Sequence, residues 1–135
     1  MRTIGAMGLL VMLGASTASA QTLMDLESVD PQVLEEFLGD WSIQNGDSSK
    51  TCKVKLSSDV TIGGLLIDVA PDCQNVFPVM KHVMAWRLYD DWEIVLVDAT
   101  RKSLIRFSTP DNTYVADPET DGITTIVKVG GALEN

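Results

Sequence analysis

From Trp41 onward, apolar and polar residues alternate in short runs separated by turn-forming clusters. Cys52, Val54 and Leu56 alternate with Lys53 and Lys55, the period-two pattern of a strand with one face in a core. Trp41–Gln44 leads into Asn45-Gly46-Asp47-Ser48-Ser49, and Gly63-Gly64 precedes Leu65–Val69, which Ala70-Pro71-Asp72 stops. Further strands are predicted at Ala85–Tyr89 and Glu93–Val97, with Asp90-Asp91-Trp92 between them. Leu104–Ser108 follows the basic turn Arg101-Lys102, Thr113–Ala116 follows Pro110-Asp111-Asn112, and Ile123–Val129 follows Asp121-Gly122. The stretch from Gln74 to Met84 lacks alternation and reads as loop with one helical turn. About eight short strands with tight connections predict an all-β meander that closes into a small up-and-down antiparallel barrel. At this number of strands the interior is either filled by side chains or holds one small ligand, and strands this short favour a filled one.

Upstream the period changes. Asp30-Pro31 has the form of a helix N-cap followed by proline at the first helical position. Val33, Leu34, Phe37 and Leu38 then share one face, and Gly39 ends a short helix expected to plug one end of the barrel. Gln21–Val29 has no consistent period and reads as an extended, mobile arm. Before it, Arg2, the apolar run Ile4–Ala15 and the small residues of Ala18-Ser19-Ala20 form a removable secretory signal. The run is too short to cross a bilayer, which takes roughly 20 residues, and no later segment is apolar for long enough. No cysteine lies near the cleavage point to carry a lipid. The chain therefore divides into a signal peptide (1–20), an arm with a short helix (21–38) and a barrel domain (39–135), destined for the periplasm or secretion.

Removal of the signal leaves nine basic residues against nineteen acidic ones, a net charge of −10 on 115 residues. Such a domain repels nucleic acid and anionic lipid, which excludes both as partners. Cys52 and Cys73 are the only cysteines, and an oxidising compartment pairs them in one disulfide. A metal site is the sharper alternative, but one histidine and no C-x-x-C leave too few soft ligands. No metal or other cofactor is expected.

The chemistry for catalysis is thin. His82 is the single histidine, between Lys81 and Val83 in the irregular stretch, and is expected at the surface. The acid pairs Glu35-Glu36 and Asp90-Asp91 read as solvated neighbours, and no phosphate-cradling glycine loop is present. An enzyme is not expected. Of three tryptophans, Trp41 and Trp86 fall on core positions, whereas Trp92 lies in a turn between Asp91 and Glu93, where it can meet a partner.

The ordered set of motifs resembles a known family. Leu38-Gly39-Asp40-Trp41, Cys52-Lys53-Val54-Lys55-Leu56, Cys73, Trp86-Arg87 before a turn, Glu93–Val97 with Asp98, Phe107-Ser108 and Tyr114 are similar to the bacterial alkaline-protease (serralysin) inhibitors, the Inh/AprI family. The resemblance covers roughly Leu34 to Val129. It implies a small exported eight-stranded barrel with one disulfide that inhibits a zinc metalloprotease of the serralysin type. It further implies that the N-terminal arm enters the active-site cleft, its terminal amine near the zinc and its next side chains in the substrate subsites. By position the arm is Gln21, Thr22, Leu23, Met24 and Asp25, with Leu23 and Met24 supplying the apolar side chains. The arm departs from the family pattern in being longer before Trp41 and acidic at Asp25, Glu27 and Asp30. A monomer is expected. The rival expectation is a small barrel that binds an apolar ligand or another periplasmic partner. Inhibition of lysozyme also suits the size and disulfide, but no segment resembles the inserting loop of such inhibitors.

Overall fold

The structure is a computed structural model that describes residues 22–129. Residues 1–20, expected from the sequence to be a signal peptide, lie outside the described residues, as do Gln21 and residues 130–135. Eight strands follow one another: β1 (Gly39–Asn45), β2 (Thr51–Thr61), β3 (Gly64–Val69), β4 (Ala85–Tyr89), β5 (Glu93–Val97), β6 (Ser103–Ser108), β7 (Tyr114–Thr120) and β8 (Ile123–Lys128). Each pairs antiparallel with the next, and β8 returns to β1 through Trp41↔Lys128 and Ile43↔Ile126, closing the barrel. The all-β barrel expected from the alternation is therefore present.

Its interior is filled. Trp86, Phe77, Phe107, Ile43 and Leu96 are fully buried, and Trp41 is 4% exposed. The alternation within β2 survives as an exposed–buried pattern over Thr51–Leu56. Strand β5 is buried at every position because both its faces are covered. Ile94 and Leu96 face the core, while Val95 and Val97 join Ala85 in a separate apolar cluster. The β2–β3 hairpin leans toward that second cluster: a β-carbon on Gly63 would stand 3.8 Å from Val97.

Two short helices pack against the core. Helix α1 (Pro31–Glu35) starts where Asp30 accepts a hydrogen bond from the Gln32 amide at 2.9 Å. It is shorter than the apolar spacing predicts, ending at Glu35 rather than at Gly39. Phe37 lies in the following turn, 8% exposed, and Gly39 begins β1 at φ +113, a conformation that favours glycine. The irregular stretch contains helix α2 (Cys73–Val76) and a 3-10 turn at Pro78–His82, with Phe77 and Met80 buried between them and the barrel. Cys52 of β2 and Cys73 of α2 form the expected disulfide, with α-carbons 5.0 Å apart. No helix of the described residues is long and apolar enough to cross a membrane.

Candidate functional site

Strand β4 organises the surroundings of the N-terminal arm because its two halves have different neighbours. Toward β3 the ladder holds a single pair, Leu65↔Trp86. Here the backbones come very close: a β-carbon on Gly64 would lie 2.6 Å from the Trp86 carbonyl oxygen, so only glycine fits. The Trp86 indole donates to the Ser57 carbonyl at 2.9 Å, and the Arg87 guanidinium donates to the Gly63 carbonyl. These contacts seat the β2–β3 hairpin on the first half of β4.

The second half of β4 is taken by the arm. The Met24 amide donates to the Leu88 carbonyl at 3.0 Å, and the Asp90 amide donates to the Thr22 carbonyl at 2.9 Å. Leu23 sits opposite Tyr89 in an antiparallel bridge between those two bonds. The Thr22 amide also donates to Asp90 Oδ1 at 3.1 Å. From Thr22 to Met24, the stretch expected to be an extended, mobile arm is thus bonded to the barrel wall through an isolated β-bridge. Leu23 remains 50% exposed, whereas Met24 and Leu26 pack against the core. Met24, Leu26, Leu65, Trp86 and Leu88 line a cavity of about 130 Å³ beneath the arm.

After the arm the chain turns on itself. Asp25 accepts from the Glu27 amide at 3.1 Å, and the Ser28 hydroxyl donates to the Asp25 carbonyl at 2.8 Å, closing a 3-10 turn at Leu26–Ser28. Asp25 therefore caps a turn, and the chain proceeds to α1.

The β4–β5 turn holds this N-terminal segment at a second point. Asp91 and Trp92 have φ of +73 and +60, a left-handed pair that is uncommon for residues with side chains. The Trp92 ring stacks on Phe37 with centroids 5.7 Å apart and planes 9° apart. Its carbonyl accepts from the Tyr114 hydroxyl at 3.0 Å, and Tyr114 meets Trp41 edge-on. Burial pushes the Tyr114 phenol up to about 12, which extends the range over which it donates into alkali. As the sequence position suggested, Trp92 is partly exposed, at 39%. Asp90 and Trp92 thus fasten the segment at Thr22 and at Phe37 respectively.

The outer face of β4 is braced by polar contacts. Arg87 donates to the Tyr89 hydroxyl at 3.1 Å, and the Arg106 guanidinium lies 5.8 Å from the centre of the Tyr89 ring. Arg106 also pairs with the nearly buried Glu93 at 3.1 Å. His82, Glu35 and Glu36 are exposed. Among the described residues no group of three His, Cys, Asp or Glu side chains is placed to hold a metal ion.

The sequence points to Gln21–Asp25, of which Gln21 lies outside the described residues, and to Trp92, but not to Leu88, Tyr89 and Asp90 as the surface that receives the arm. In the sequence Asp90 stands only as half of a solvated acid pair with Asp91. Its role depends on a residue 68 positions away, which local spacing does not reveal.

Comparison with known families supplies one match. The model of a family described as the protease inhibitor Inh covers residues 32–128, or 97 of the 135 residues. The matched region contains the barrel and begins after the arm. No curated protein and no solved structure matches the chain.

Proposed function

This chain belongs to the protease inhibitor Inh family, and on that premise we propose that it inhibits an exported zinc metalloprotease of the serralysin type through its N-terminal arm. The single observation that carries the reading is the placement of the arm. Thr22–Asp25 is an extended segment, three of its four residues exposed, heading a rigid disulfide-tied barrel beside the half-exposed Trp92. An extended segment is the form in which a cleft that adds a strand to its own sheet takes a peptide. Removal of the signal after Ala20 would make Gln21 the first residue, with Leu23 and Met24 as apolar side chains for the subsites. A neutral terminal amine there can take the position at a catalytic zinc that water otherwise fills. The same removal places the inhibitor in the periplasm or outside the cell, where an exported protease would meet it.

A ligand-carrying barrel is the weaker reading. The interior positions are occupied by large side chains, and the cavity of about 130 Å³ is lined in part by the arm's own Leu23, Met24 and Leu26. The test is titration of a purified serralysin-type protease, assayed with a fluorogenic peptide, against mature protein and a form lacking residues 21–25. Inhibition by the mature protein that is lost on truncation supports the arm mechanism. Equal inhibition by both forms assigns the activity to the barrel, and no inhibition by the mature protein rejects this class of target.

A further inference from the structure

We infer that the free inhibitor is self-latched: the edge of β4 at Leu88–Asp90 is a strand-binding site that holds the arm in cis, and the arm reaches a protease only by leaving it. The inference rests on the arm-insertion reading above and adds a step to it. Thr22, Leu23 and Met24 would be among the residues to enter a cleft, and all three are already engaged on β4. The backbone groups in use are the Thr22 amide, the Thr22 carbonyl and the Met24 amide. A strand added to an enzyme cleft spends the same kind of groups on its new partner, so the two pairings compete. Only Gln21 would precede the first clamp in the mature chain.

The latch is built to be weak. It consists of two ladder bonds and one exposed side-chain bond, whereas β4 and β5 share five ladder pairs. Thr22 and Leu23 are exposed, and the cavity beneath them means that Met24 and Leu26 do not fill the space they cover. Few buried contacts and exposed hydrogen bonds place a segment at the low end of local stability. Release can stop at Asp25, because the turn from Asp25 to Ser28 is closed by its own hydrogen bonds and Asp30 separately caps α1. On release Leu65, Trp86 and Leu88 become the walls of an open apolar slot beside a free β4 edge. Self-occupancy keeps that edge paired until a protease arrives. Apparent affinity falls by the fraction of molecules that are latched.

The bridge between Leu23 and Tyr89 offers a direct test. The flanking bonds Met24 to Leu88 and Asp90 to Thr22 make it a non-hydrogen-bonded pair, whose α-carbons stand about 4.5 Å apart, within disulfide reach. The full mature chain carrying Leu23→Cys and Tyr89→Cys is compared oxidised and after mild reduction, which leaves the buried Cys52–Cys73 bond intact as checked by mass. The expected result is at least tenfold weaker inhibition of the serralysin-type protease in the oxidised form, recovered on reduction, with wild type unchanged by the reductant. Asp90→Ala, which needs no cross-link, should tighten inhibition roughly two- to tenfold by removing one latch bond. Amide exchange on the free wild type is read in parallel, and the Met24 and Asp90 amides should exchange at least tenfold slower than unstructured references. Equal inhibition by tethered and reduced forms, or unprotected Met24 and Asp90 amides, overturns the latch. Wild type that does not inhibit at all overturns the functional reading and, with it, the release step. Protected amides in that case still support the β4 site on its own.

Discussion

Gly64 lies so close to Trp86 that a β-carbon in its place would stand 2.6 Å from the Trp86 carbonyl oxygen. The obstacle is backbone at the only β3–β4 ladder pair, Leu65↔Trp86, so no side-chain rotation relieves it. Gly64→Ala is expected to destabilise the barrel by about 2–3 kcal/mol through overpacking. Gly46→Ala, whose β-carbon would meet Thr124 at an ordinary 3.9 Å, should be close to neutral. Urea unfolding of the two variants checks the contrast, and equal midpoints would contradict it.

Trp92 combines an unfavourable backbone with a favourable ring. Trp92→Ala loses the stack on Phe37 yet keeps the left-handed φ, and should lower stability by about 2 kcal/mol. Trp92→Gly also loses the ring but relaxes the backbone, so it should be more stable than the alanine variant by about 1 kcal/mol. Alanine outranking glycine in thermal unfolding would show that φ at this turn is not a constraint.

The Cys52–Cys73 bond closes a loop of 21 residues between β2 and α2. Replacing both cysteines by alanine is expected to remove about 2–4 kcal/mol, largely by freeing the unfolded chain. Loss of α2 alone, with the barrel unaffected, would appear as an unchanged main transition in calorimetry and would contradict this estimate.

Tyr114 makes stability fall in strong alkali. Its folded-state value is raised from 10.0 to about 12 by burial, so the unfolded chain releases that proton first. The stabilisation is fully present below pH 10 and is lost as pH rises from there through about 12. Tyr114→Phe should flatten the stability profile in that window, while losing the bond to the Trp92 carbonyl at all lower pH values. Denaturant midpoints taken across the window, with phenolate absorbance, provide the check.

Much of the barrel was legible because alternation reports which face of a strand is buried. The bounds of β4 and β5 follow directly from the apolar runs flanking Asp90-Asp91-Trp92. Other bounds moved for identifiable reasons. Strand β7 continues through Pro118 to Thr120, past the expected stop at Ala116, because the β7–β8 register shifts between Val115 and Thr120 and no regular ladder bond is demanded of proline there. Helix α1 stops at Glu35 because Phe37 is drawn into the stack with Trp92 and the edge contact with Tyr114. The arm was legible as an extended segment but its pairing with β4 was not. Leu23 and Met24 are too few to display a period, and their partners, Tyr89 and Leu88, are more than sixty residues away.

Closure of the β1–β8 ladder bears on how this molecule survives in the company of the enzymes it meets. Peptide-bond cleavage requires several consecutive residues to be drawn out as a lone strand into a cutting site. Around this barrel most strands are engaged on both edges, and the connections are mainly short turns that do not stretch without breaking the wall. Among the described residues, residues 22–25 are an extended piece held to the wall by two ladder bonds, and on the proposed reading they are what a protease would draw out first. On that reading, the closed wall that withholds most of the chain from a cutting site is also what selects the segment offered to it.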